Sequence, residues 1–311
     1  LESSFHILEY SVDRLEAMTV FVAAVDGGSL SAAGRQLRMP LATVSRKVSD
    51  LEAHLRARLL HRSTRKLTLT DAGRDYYASC KRILEDVGDA ERDASGEYAE
   101  PRGELVIAAP IVFGRVHVLP VIAQFLAAYP EVDVRLVQGD RNANLLEDHL
   151  DLAVRIGALP DSSMTATAVG SVRRVVCASP AYLAARGTPQ SPDELAGHCC
   201  VSFDALGAGN AWRFETGGGY RDVAVRSRLV VNTADAAIDA AIGSAGITRL
   251  LSYQVAQALQ EGRLQRLLPE FESTPAPVNL LFDGRRRLPL KLRAFIDFAT
   301  PRLRERLANI A

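Results

Sequence analysis

Residues 29–70, SLSAAGRQLRMPLATVSRKVSDLEAHLRARLLHRSTRKLTLT, leave few folds open, because two short amphipathic helices meet at a tight turn and run into a basic hairpin. Leu30, Ala33 and Leu37 recur at helical spacing behind Ser29, whose hydroxyl suits an N-cap. Arg38-Met39-Pro40 makes the turn, since Pro40 cannot continue a helix but can begin one. Val44, Val48, Leu51 and Leu55 then form a buried stripe. That phase puts Ala42, Thr43, Ser45, Arg46, Ser49 and Asp50 on the opposite face, with Lys47 on one flank. Leu67-Thr68-Leu69-Thr70 alternates like a strand, with Leu59-Leu60 as its partner and His61-Arg62-Ser63-Thr64-Arg65-Lys66 as the tip between them.

The segment carries nine Lys and Arg residues against only Asp50 and Glu52, in a chain whose 37 basic and 37 acidic residues cancel. Positive charge gathered in one small module is suited to a polyanion. A small, polar helix face seats deeply in a major groove, and its hydroxyls reach phosphates or base edges. Arg46 can take a bidentate bond to guanine. Arg62, Thr64, Arg65 and Lys66 in the tip would lie along phosphates or enter the minor groove. The expected contacts to double-stranded DNA are Ser29, Ser31, Ala42, Thr43, Ser45, Arg46, Lys47, Ser49, Asp50, Arg62, Thr64, Arg65 and Lys66. An ordinary solvated helix face is the alternative; the preceding helix and the basic turn that follows weigh against it.

Leu15, Phe21, Val22 and Val25 predict an earlier helix ending at Asp26-Gly27-Gly28. Thr70 can cap a later, long one with the apolar stripe Tyr76, Cys80, Ile83 and Val87, Leu84 beside it. Such a stripe needs cover. An antiparallel copy from a second subunit would supply it and hold two reading helices at set spacing, so these five residues are expected to form a homodimer.

A chain of 311 residues suggests two or three domains, and 48% hydrophobic with 24% charged residues fits a soluble globular class. No run of about 18 uncharged apolar residues exists, so no membrane span is expected. The opening LESSFHILEYSV lacks the features of a secretory signal and contains no Met. Val12 is the expected natural initiator, which N-terminal sequencing would check. Cys80, Cys177, Cys199 and Cys200 show no C-x-x-C spacing, as in a reduced, cytoplasmic protein. His198-Cys199-Cys200 reads as the start of a buried strand rather than a metal cluster; a redox role for Cys199 or Cys200 stays open.

Glu97-Tyr98-Ala99-Glu100-Pro101-Arg102-Gly103 is a polar break. Beyond it the pattern predicts strands at 105–109, 132–137 and 152–156 alternating with helices at 116–129 and 142–149, an α/β order with ligand sites at the carboxyl ends of the strands. A second set follows, with strands at 172–178, 201–203 and 225–231 and a helix at 234–242. Trp212-Arg213-Phe214 and residues 221–225 read as a hairpin whose three glycines make a turn, not a phosphate loop. A strand at 278–282 and a helix at 289–307 then return to the first set. No metal motif, nucleotide loop or G-x-S-x-G turn supports an enzyme, and no cofactor is expected.

SLSAAGRQL, ATVSRKVSDLEAHL and LLHRSTRKLTLTDAG together resemble the winged helix-turn-helix of the LysR-type transcriptional regulators. LVIAAPIVFGR, Tyr129-Pro130-Glu131-Val132, Asp151-Leu152-Ala153-Val154-Arg155-Ile156-Gly157, Ala178-Ser179-Pro180-Ala181-Tyr182-Leu183 and Gly246-Ile247 are similar to the same family's effector domain. The resemblance implies an N-terminal winged helix-turn-helix at 12–70 and a dimerisation linker helix at 71–96. A hinge at 97–103 leads to an α/β effector domain at 104–305 of periplasmic-binding-protein type. Its subdomain I would span about 104–171 and 272–305, and subdomain II about 172–271. The implied function is DNA binding modulated by a small-molecule co-inducer, in a dimer or a dimer of dimers. A solute receptor or an enzyme built on the α/β half is the alternative.

Four departures stand out. Arg56 replaces a usual Gly, and Gly34 a commoner Ala at an expected helix-propensity cost of about 1 kcal/mol. Pro110 replaces a frequent Ser or Thr, removing a hydroxyl and an N–H, and Thr248-Arg249-Leu250-Leu251 stands where Pro is usual. The effector site implied by the resemblance comprises Pro110, Ile111 and Val112 at a helix N-terminus that favours an anion, with Asp140, Arg141, Arg155, Ser202, Phe203, Asn232 and Thr233. Arg141 or Arg155 would bind a carboxylate, or else pair with Asp140, Asp151 or Glu147 in the framework.

Overall fold

A computed structural model describes residues 13–62, 67–95, 100–140, 145, 148–159, 164–203, 211–216, 219–284 and 288–308. The chain divides into two compact units, Leu1–Ala99 and Glu100–Ala311.

In the first unit, helices α1 (Arg14–Asp26), α2 (Leu30–Leu37) and α3 (Leu41–Leu55) precede a hairpin of β1 (Leu60–Arg62) and β2 (Leu67–Leu69), followed by α4 (Asp71–Ser95). Caps set the boundaries. Ser29 Oγ accepts from the Ala32 amide at 3.1 Å, and Thr70 Oγ1 accepts from the Gly73 amide at 2.9 Å. Phe21, Val44, Val48 and Leu51 are fully buried in one cluster, so the expected stripe of α3 is the one that packs, with Leu55 at its margin. Glu52, beside that stripe, accepts from the Leu59 and Leu60 amides at 2.8 and 3.1 Å and ties the hairpin to α3.

Two glycine-related expectations change. A Cβ on Gly34 would lie 2.8 Å from the Met39 carbonyl oxygen, because the chain folds back over α2 with the Met39 amide bonded to the Gly34 carbonyl at 2.9 Å. Close approach, absent from any propensity scale, makes Gly34 the fitting residue rather than a costly one. Arg56 sits at φ 52° as the left-handed residue that ends α3. Glycine avoids the Cβ clash of that conformation. Arg56→Gly is therefore expected to raise stability by roughly 0.5–1 kcal/mol once glycine's greater backbone entropy is subtracted, read as a higher urea midpoint.

The stripe of α4 divides. Cys80 is fully buried and the Tyr76 ring lies 5.8 Å from that of Phe21, both within the unit's own core. Cys80 is thereby withdrawn from the expected subunit interface, while Tyr76 stays half-buried at the edge of that core. Ile83 is 38% exposed, with Leu84 and Val87 half-buried.

The second unit holds two five-stranded sheets. The first has the order β4 (Val132–Gln138), β3 (Gly103–Ala109), β5 (Leu152–Ile156), β14 (Ala276–Phe282) and β6 (Thr165–Val172). The second has the order β11 (Arg226–Val231), β8 (Cys199–Phe203), β12 (Ile247–Leu251), β7 (Arg174–Ala178) and β13 (Gln265–Leu267). Parallel pairs join β3 to β4 and β5, and β8 to β11 and β12. The chain leaves the first sheet through β6 and enters the second at β7 with only Arg173 between. It returns as β14, the crossover strand expected at 278–282. A hairpin of β9 (Ala211–Thr216) and β10 (Gly219–Ala224) stands apart, as its sequence predicted.

Several expected elements shift. The strand expected at 172–178 is two, because Val172 ends β6. The helix expected at 116–129 starts earlier, running over Ile111–Ala128 with one π-helical turn at Gly114–Val118. At a mean hydropathy of 1.7 it is long and apolar enough to cross a membrane, although Arg115 keeps it from being an uncharged run. Here Val112, Phe113, Val118, Val121, Ile122 and Phe125 pack it into the sheet core. The helix expected at 142–149 falls mostly outside the described residues, and Leu145, Asp148 and His149 are in turns. The final helix, Leu290–Ala308, buries Leu292, Phe295, Ile296 and Ala299 on its predicted face.

Candidate DNA-reading face and effector cavity

On α3, Ala42, Arg46 and Asp50 are exposed, and Thr43, Ser45 and Ser49 are half-buried beside them. Ser31 is exposed on α2, while Ser29 is committed to its cap. The face is narrow, shallow and polar, with Arg46 its exposed cation. Lys47 departs from expectation. Its Nζ is ion-paired to Glu16 of α1 and its side chain is only 23% exposed. The local carboxylate neutralises it, which makes it a strut between helices. Thr64, Arg65 and Lys66 lie outside the described residues, as does the side chain of Arg62.

In the second unit a cavity of about 190 Å³ opens between the two sheets. Of the expected effector residues, Pro110, Asp140, Arg155 and Phe203 line it. The others do not. Val112 is buried in the core, Ser202 Oγ is bonded to Ser227 Oγ, and Thr233 Oγ1 accepts from the Ala236 amide as a helix cap. Asn232 is absent from the lining, and Arg141 lies outside the described residues. The anion-favouring helix start is already filled. Asp140 Oδ1 accepts from the Ile111 amide at 3.1 Å, so the protein's own carboxylate stands at that N-terminus. Burial pushes the Asp140 carboxyl above its usual range, the Ile111 bond opposing it and Asp235 adding to it.

Arg174, Arg249, Tyr253 and Gln254 also line the cavity and were missed by sequence reasoning. A signal existed. Arg249 interrupts the apolar run Ile247-Thr248-Arg249-Leu250-Leu251 in what is the middle strand of its sheet, where a charge has no cheap place. Arg249 pairs in register with Val176 across β12 and β7, which sets Arg174 diagonally beside it on the same face. Burial, and then repulsion from Arg174, lower the Arg249 guanidinium to about 10, still cationic at neutral pH. It rests 5.2 Å from the Phe214 ring centre. Among the described residues no ion pair engages Arg155, Arg174 or Arg249. Asp222 partly offsets the charge of Arg249, and the excess of arginines at the cavity's edge still favours an anionic occupant over a cationic one.

Cys199 begins β8 and Cys200 is buried, its thiol pushed up to about 12 by burial. Among the described residues, no group of three or more His, Cys, Asp and Glu could hold a metal ion.

Residues 15–74 match the family model for the bacterial regulatory helix-turn-helix protein, lysR family, and residues 99–304 match the LysR substrate binding domain. The chain belongs to the LysR family. This LysR-type transcriptional regulator is 36% identical over 289 residues to a transcriptional repressor of Pseudomonas aeruginosa, covering 92% of this chain and 91% of the relative. It is 34% identical over 289 residues to the transcriptional activator AaeR of Escherichia coli, covering 93% and 94%. The solved structure of CrgA, a LysR-type regulator from Neisseria meningitidis, is 35% identical, with a TM-score of 0.60 over 93% of this chain and 98% of that one. The full-length virulence activator AphB of Vibrio cholerae is 28% identical, with a TM-score of 0.59 over 92% and 98%. The helix-turn-helix and effector domains of this LysR-type regulator thus sit on the two units described above.

Proposed function

We infer that this regulator reads an operator with the exposed face of α3 and is governed by a small carboxylate-bearing effector held in the cavity. The reading rests on one contrast in α3: Val44, Val48 and Leu51 are fully buried while Ala42 and Arg46 are exposed. A helix so divided can seat its small residues in a major groove and put a guanidinium on a base edge. The basic tip carrying Arg62, Thr64, Arg65 and Lys66 adds phosphate contacts, and Lys47 adds none because Glu16 holds it.

The effector acts by linkage. A ligand that prefers one arrangement of the effector domains biases, by that same free energy, how paired DNA-binding units meet their half-sites. Pairing falls to the distal part of α4, through Ile83, Leu84 and Val87. The work is binding rather than catalysis, performed in the cytoplasm where the operator is. Arg46→Ala is expected to reduce discrimination between operator and random DNA by about 1–3 kcal/mol, measured by competition binding at fixed salt. Unchanged discrimination would remove α3 as the reader.

A further inference from the structure

The cations of the DNA-binding unit are not equally free. Among the described residues no ion pair engages Arg35, Arg38 or Arg46, whereas Lys47 gives its Nζ to Glu16 Oε2. Asp50 is exposed three residues along α3, the partner that a helix offers Lys47 locally. Lys47 bypasses it for α1. Docking of the two helices does not depend on the pair, because Phe21 of α1 and Val44, Val48 and Leu51 of α3 are fully buried together in one cluster. What the pair changes is the charge beside the reading face.

A helix about 10–12 Å across fills a major groove about 12 Å wide, so residues flanking the inserted face stand against the sugar–phosphate walls. Ala42 and Arg46 lie on the exposed face of α3, and Lys47, one residue on, is turned about 100° to its flank. A free ammonium on a flexible four-carbon stem would meet phosphates there whatever the base sequence. Glu16 withholds it. The two side chains are 23% and 37% exposed, so salt screens their attraction less than that of a surface pair. Giving Lys47 to a phosphate would also leave the Glu16 carboxylate unpaired beside a polyanion.

We propose that Glu16 is a positioning residue for DNA binding, drawing Lys47 off the phosphate wall and so holding down the sequence-independent, salt-sensitive part of the affinity. This rests on the reading of α3 as the helix that enters the groove. A single unit weakened in this way leaves random DNA readily, and stable occupancy falls to the doubled contact of a paired site.

The test measures how affinity for a random-sequence duplex falls with salt, using the full-length protein, with melting temperature as the folding control. Glu16→Gln frees Lys47 and is expected to steepen the log–log slope by about 0.9 per bound unit, so that its gain over the parent grows about threefold between roughly 200 and 50 mM salt. Lys47→Gln should keep the parent's slope, since that cation has no phosphate contact to lose. Glu16→Gln and Lys47→Gln combined should return to the parent's slope. Glu131→Gln removes an exposed acid of the second unit, changes the net charge equally and should leave the slope alone. An operator selected from a random library should gain as much as random DNA, because phosphate contacts carry no sequence information. A parental slope in Glu16→Gln, a slope flatter by about 0.9 in Lys47→Gln, or a change in Glu131→Gln as large as in Glu16→Gln overturns the role of Glu16. If Arg46→Ala lowers discrimination while Glu16→Gln keeps the parental slope, α3 remains the reader and only the role of Glu16 falls. If Arg46→Ala leaves discrimination unchanged, the reading of α3 falls and takes the role of Glu16 with it.

Discussion

Gly73→Ala is expected to cost the DNA-binding unit about 3 kcal/mol or more, the upper end of what overpacking does. Helix propensity alone argues the reverse, since alanine in the first turn of α4 should stabilise by about 1 kcal/mol. Geometry decides. A Cβ at residue 73 would stand 2.0 Å from the Leu59 carbonyl oxygen and 2.9 Å from its carbon. Neither atom can yield cheaply, because that carbonyl accepts the Thr70 amide at 3.0 Å and Leu59 is 1% exposed. Glu52, through the Leu59 and Leu60 amides, fixes the same stretch from the other side. Either α4 must lift from the hairpin or the hairpin must leave α3. Thermal unfolding should show the loss in the first unit with the second unchanged, and operator binding should fall with it. A midpoint equal to the parent's would show that the backbone there can yield.

Ile83→Asp is expected to separate the subunits while leaving each one folded. Ile83 is 38% exposed, so the unit's own core does not require it, unlike Cys80, which is fully buried in the same stripe. In a symmetric pair the substitution enters the interface twice. An uncompensated buried carboxylate costs about 3–5 kcal/mol, enough to weaken association by at least a hundredfold. Sedimentation should then show monomers, and affinity for a two-half-site operator should drop far more than affinity for a single half-site. A sedimentation profile matching the parent's would exclude distal α4 as the pairing surface.

Helix α3 was legible because its evidence is local. Helical phase needs only the spacing of Val44, Val48 and Leu51, and the caps at Ser29 and Thr70 act over three residues. The strand at 67–70 was legible from its period of two, and those of the second unit from short apolar runs set between helices. Lys47 was misplaced because its phase is right and its partner is not local: Glu16 lies 31 residues earlier, on another helix. The stripe of α4 was correctly found, yet its division between an internal core and a free remainder depends on where α1 lies. The effector set fared least well. Val112, at the helix start after β3, turns to the core, Ser202 near the end of β8 bonds a neighbouring strand, and Thr233 after β11 is spent on a helix cap.

What the sequence determined by itself is the kind of machine: a basic reading head, a long helix after it and an α/β half of LysR type. Each follows from patterns that repeat within a few residues, and hydrophobic burial enforces such patterns wherever the segment sits. What only the tertiary structure decided is the chemistry of the cavity. Arg249 and Arg174 meet because β12 and β7 run antiparallel in a register that makes them diagonal neighbours. Asp140 reaches Ile111 across 29 residues and takes the anion position for the protein itself. Side chains so distant in the chain are brought together by sheet order and crossover, and no local period encodes either.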